Sequence, residues 1–130
     1  MLFAFCLCIL TIGCQIFDKS ENRLIMEYYN PKSSMKVIVF EKLGNTTVNN
    51  SVQASIQGYD YELKNEDIGN VFVADKIEGT RQSVDSILIA NWINNETLEL
   101  IYPKNIRIFK NENRFENNVG KVQIEHRAIE

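Results

Sequence analysis

Beyond residue 14 the sequence has no cysteine; the three in the chain are Cys6, Cys8 and Cys14. A domain built from later residues can form no internal disulfide and no thiolate metal site. Its stability must come from a buried core, which a chain of this size can supply. Histidine is almost as scarce. His126 is the only one, so a triad or a histidine metal centre would have to be assembled around one imidazole. No serine stands in a Gly-x-Ser-x-Gly setting. The six glycines form no phosphate-cradling loop. The 14 basic and 17 acidic residues are mixed along the chain and leave a net charge of −3. That balance carries no basic stripe for nucleic acid or for an anionic membrane surface. No cofactor, no metal and no nucleic-acid partner is expected.

Long apolar runs are also missing. The longest stretch of this kind, LFAFCLCILTI at Leu2–Ile12, has eleven residues, too few for a bilayer-spanning helix of about 20. Eleven residues suit the apolar segment of a signal peptide, and Gly13 supplies a small residue just before a cut. Thr11-Ile12-Gly13-Cys14 then resembles a bacterial lipobox, with Thr11 in place of the usual leucine. The resemblance implies that the Cys14 thiol takes up diacylglycerol and that the chain is cut between Gly13 and Cys14. Two or three acyl chains would hold the product on a membrane firmly, at about 0.8 kcal/mol per buried CH2. Gln15 follows the cysteine; an aspartate there would suggest inner-membrane retention in some bacteria, so glutamine favours the outer membrane. Ahead of the tract there is only Met1, without the basic residue that signals usually carry. The other readings are an ordinary cleaved signal and an apolar first strand.

These features divide the chain into a signal peptide (1–13), a lipidated N-terminus with a polar tether (14–23), and a single β-domain (24–130). Within the domain the hydrophobic pattern is strand, turn, strand. Leu24–Tyr29 precedes the turn residues Asn30-Pro31-Lys32-Ser33-Ser34. Val37–Phe40 is apolar at every position, as in a central strand covered on both faces. Val52, Ala54 and Ile56 alternate with Gln53, Ser55 and Gln57, the pattern of a half-buried strand. This strand is expected to run on through Tyr59 and Tyr61, with Gly58 as a bulge. Val71–Ala74 follows a loop at Lys64–Asn70. Ser86–Ile93 and Thr97–Tyr102 flank Asn94-Asn95-Glu96, a tight-hairpin sequence because asparagine tolerates positive φ. Asn105–Lys110 and Lys121–Arg127 complete the set, separated by the Asn-rich Asn111–Gly120. The expected fold is all-β: a small antiparallel meander, sandwich or partly closed barrel of about eight strands.

NPKSSMKVIVFEKLGNTT, then SVQASI, GNVFVAD and a lone Trp before LELIY, resembles a family of short bacterial proteins with a Gly-Ala-Thr-Thr-like turn. The matching positions are Asn30-Pro31, Val37–Phe40, Gly44 with Thr46 and Thr47, Gly69–Phe72, and Trp92 with Leu98–Tyr102. Leu43 replaces a cysteine frequent in that family, and Asn45 replaces its alanine. The resemblance implies a bacterial domain and carries no mechanism.

Five features invite a functional reading, and each has a plainer one. Gly44, Thr46 and Thr47 place two hydroxyls beside a glycine and make a possible binding turn; such hydroxyls more often cap their own turn. Asp60, Glu62, Glu66 and Asp67 could attract a cation, but lack calcium-loop spacing and read as the wet face of a strand. Tyr28, Tyr29, Tyr59 and Tyr61 could form an aromatic platform, or serve as cross-strand pairs. Trp92 could anchor a partner, or belong to the core. His126 continues the Val122, Ile124 alternation as a strand-edge histidine. The expectation is a non-enzymatic lipoprotein of the cell envelope, anchored at Cys14, that meets another envelope protein or a cell-wall component. The alternatives are a soluble secreted β-domain with an ordinary signal, and a small envelope hydrolase using acidic residues.

Overall fold

Alternating and continuous apolar runs dictate strands here, and the computed structural model of the chain, which describes residues 21–44, 49–75 and 88–130, contains nine of them. They are β1 (Asn22–Tyr29), β2 (Met35–Lys42), β3 (Ser51–Gly58), β4 (Phe72–Asp75), β5 (Ile89–Asn94), β6 (Thr97–Pro103), β7 (Arg107–Asn111), β8 (Arg114–Glu116) and β9 (Lys121–Ile129). Two sheets result, ordered β1-β2-β3-β4-β7 and β5-β6-β9-β8. They form a small sandwich that is not closed into a barrel. Among the described residues no helix is long and apolar enough to cross a membrane.

The core lies between the sheets. Val37 and Val39 of β2, Val52, Ala54 and Ile56 of β3, and Phe72 and Ala74 of β4 face Leu98, Leu100 and Tyr102 of β6 and Val122 and Ile124 of β9. Each fully buried side chain of this size stabilises the fold by about 1.5–3 kcal/mol. Ile38 and Phe40 point the opposite way, yet they too are fully buried. Across their face runs the loop 59–70. Asn22 and Lys42 reach the carbonyl of Asp67 at 2.8 and 3.2 Å. Gln53 accepts from the Gly69 amide at 2.7 Å, and Lys110 donates to its carbonyl at 3.2 Å. The expected double-sided burial of Val37–Phe40 is therefore present, with a sheet on one side and a pinned loop on the other.

Trp92 closes the seam between sheets. Its indole N–H donates to the Tyr28 carbonyl at 2.8 Å, tying edge strand β5 to edge strand β1. At the same end the buried Asn30 organises its turn. Its Oδ1 accepts from Ser34 N at 2.9 Å and Met35 N at 3.2 Å, and its Nδ2 donates to the Asn95 carbonyl at 3.3 Å.

The expected count of about eight strands is met by nine among the described residues, the Asn-rich segment adding the three-residue β8. Several expectations are corrected. Strand β3 ends at Gly58, so Tyr59 and Asp60 form a turn, Tyr61 and Glu62 lie in the loop, and Gly58 is no bulge. β1 starts at Asn22 instead of Leu24. One pairing, β6 with β9, is parallel. The hairpin at Asn94-Asn95-Glu96 is present, with Asn94 opposite Thr97. Ser86, at the start of the expected fifth strand, lies outside the described residues.

Candidate functional site

The features singled out in the sequence fall at separate places. Gly13 and Cys14 lie outside the described residues, as do Thr46 and Thr47. Gly44 is described: its amide donates to Asn50 Oδ1 at 2.8 Å, and Asn50 Nδ2 donates to the buried Glu41 at 2.9 Å. Glu41 also pairs with Arg23. These bonds close the base of the turn internally.

The acidic stretch is divided in use. Asp67 is spent on the loop itself: its carboxylate accepts from the Tyr61 hydroxyl at 2.8 Å and from the Lys64 amide at 2.9 Å. That hydrogen bond holds the Tyr61 phenol above its ordinary pKa, and burial and the negative charges of Asp67 and Glu66 push the same way. Asp60, Glu62 and Glu66 are exposed. Among the described residues no three His, Cys, Asp or Glu side chains gather as a metal site.

The four tyrosines make no common platform. Tyr28 packs against the core, while Tyr29 lies on the opposite face beside Lys36, whose Nζ is 5.6 Å from its ring centre. Lys36 is itself buried and paired with Glu27 at 3.0 Å. The ring contacts among the described residues join Tyr102 to Phe72 and to His126. His126 is turned towards the interior, with Nε2 2.7 Å from the Glu112 carbonyl and Nδ1 buried without a partner. A carbonyl only accepts, so Nε2 carries the proton.

The sheet edges bear on partner binding. β1 is broken by a bulge between Leu24 and Met26, β5 between Trp92 and Asn94, and the β4–β7 pairing between Val73 and Ala74. The remaining edge strand, β8, has three residues. Bulges and short strands of this kind are what sheets use to resist pairing with another chain.

The outer face of the second sheet carries a polar cleft of about 390 Å3. Register builds it. Gln123 on β9 stands opposite Thr97 on β6 and opposite Arg114 on β8. Leu98, Val122 and Ile124 point into the core, so these three point outward as one row across three strands, about 4.8 Å apart. Lys121 lies two residues before Gln123 on the same face. Glu96 and Asn113 close the two ends. The backbone beneath is fixed by Gln123 N donating to Glu96 O at 2.7 Å and Ile124 N donating to Asn113 O at 2.9 Å. Lys121 meets Glu116 at 3.4 Å, both side chains well exposed, a contact of the weak class.

The sequence reading missed this cleft. The alternation from Lys121 to Glu125 signals which β9 residues face outward, but nothing local announces β8, and the parallel partner of β9 is read only in the folded chain.

No family model matches the chain, no curated protein matches it, and no solved structure matches the fold.

Proposed function

We propose that the chain is a lipid-anchored, non-enzymatic binding module of a bacterial cell envelope, held on the membrane through acyl chains on Cys14. The observation that carries this reading is the uncharged tract Leu2–Ile12 ending in Gly13-Cys14. β1 starts at Asn22. Eight residue steps separate it from Cys14, an extended reach of at most about 29 Å, so the sandwich would stand close to the bilayer. Bulged and shortened edges favour recognition through side-chain surfaces over strand addition. A single carboxylate, Glu96, lines the described cleft, where acid–base hydrolysis would call for a positioned pair.

The test is Cys14→Ser. The lipoprotein peptidase acts only on the lipid-modified cysteine, so the variant stays uncut and held by its apolar tract, or is cut elsewhere and released. Wild type should take up labelled fatty acid and partition into detergent, and the variant should not take up label. Equal mass, label uptake and partitioning in the two would overturn the anchor and leave an ordinary secreted β-domain.

A further inference from the structure

We propose that the cleft between β6, β9 and β8 is a binding site for an oxyanion, a carboxylate or phosphoryl group on a polar ligand. This rests on the binding-module reading and names the ligand chemistry of that module.

Among the described residues Arg114 has no ion pair. Its planar guanidinium offers paired N–H donors that match the two oxygens of a carboxylate or phosphate. Lys121 adds a second positive charge on the same face. Its contact with Glu116 is long and exposed, and is readily exchanged for a stronger anion. Gln123, between Arg114 and Thr97, supplies an amide donor, and Thr97 a hydroxyl that donates or accepts. The row therefore runs from charged donors at Arg114 to mixed donors and acceptors at Thr97. Glu96, beyond Thr97, suits a hydroxyl or amine at the far end of the ligand. Arg114 and Lys121 stand against Glu96 in the lining and Glu116 beside Lys121, so the attraction for an anion comes from Arg114, the cation without an ion pair among the described residues, and not from net charge.

Position sharpens the selection. The next outward row of the same sheet pairs Glu99 with Glu125, and Arg127 reaches Glu99 at 3.4 Å. An anion is repelled there and attracted one row away, so the face discriminates over a few ångströms. The cleft is set in paired strands with a backbone already bonded, so binding need order only side chains.

The experiment is a nitrogen–proton NMR titration of the full chain with inorganic phosphate and, separately, with N-acetylglycine, at constant ionic strength. It is run on wild type, on Arg114→Gln, and on Arg127→Gln as a control of equal charge change outside the cleft. The proposal expects saturable shifts at the amides of Thr97, Arg114 and Gln123 with at least one probe. Apparent affinity should fall tenfold or more in Arg114→Gln and hold within twofold in Arg127→Gln. A response to phosphate identifies a phosphoryl ligand, and one to N-acetylglycine a carboxylate. Shifts that fail to saturate, or that persist equally in Arg114→Gln, overturn it; the unchanged remainder of each spectrum shows that the variant is folded. The same titration of Cys14→Ser separates the two readings, since cleft binding does not depend on the lipid.

Discussion

Trp92 and Tyr28 are 64 residues apart in sequence, and one hydrogen bond of 2.8 Å between indole and carbonyl joins them across the two sheets. The bond explains why a tryptophan and not a phenylalanine stands at this seam: the ring packs on the core while its N–H satisfies an edge-strand carbonyl. Trp92→Phe should keep most of the packing and leave that carbonyl unpaired. The expected loss is about 1–2 kcal/mol, read as a lowered urea midpoint by circular dichroism with an unchanged slope. An unchanged midpoint would mean that the bond contributes nothing.

Gly69 allows the loop to lie flat on β3. A β-carbon there would come within 2.4 Å of the Phe72 carbonyl oxygen and 2.9 Å of the Ala54 carbonyl oxygen. Both are backbone atoms in or beside the sheet and cannot swing aside. Gly69→Ala should cost about 2–4 kcal/mol and loosen the Gln53–Gly69 bond. Hydrogen exchange should then speed up at the Gly69 amide more than at Val37. Uniform acceleration across the domain would count against a local clash.

Tyr61 makes the stability of this loop depend on alkaline pH. Its pKa is raised in the folded chain, chiefly by the bond to Asp67, so the protonated phenol is the form the fold favours. The contribution is complete below the unfolded value of about 10 and is lost as pH rises through the folded value. Wild type should therefore exceed Tyr61→Phe in stability near pH 8, and the gap should narrow as pH rises past the raised folded value. A gap independent of pH would remove Tyr61 as its cause.

The parts of the fold legible in the sequence are those set by local pattern. Val37–Phe40 is apolar without interruption and is buried on both faces; Val52, Ala54 and Ile56 alternate and line the core. The Asn94–Glu96 turn is present, but neither asparagine takes positive φ; the Asn94 side chain closes it instead, accepting from the Glu96 amide at 2.9 Å. What escaped the reading depends on distant partners. Tyr59 and Tyr61 continue the alternation of β3, but the chain turns at Gly58 because the loop must fold back to cover Ile38 and Phe40. β8 is too short to impose a period and exists because β9 offers it an edge. The candidate site suffered most: Arg114 and Gln123 meet in a hairpin whose first strand is too short to read, and Thr97 joins them through a parallel pairing that no local signal encodes.

The parallel pairing of β6 with β9 has a consequence in time. Among the nine strands β9 is the last to be synthesised, yet it lies between β6 and β8 and brings Val122 and Ile124 to the core. Until it emerges, the β5–β6 hairpin has no inner neighbour and the first sheet has only part of its cover. Pairings of such long sequence separation form late and slowly. The sandwich can therefore close only once β9 has been made, so folding of the described strands waits on the last of them.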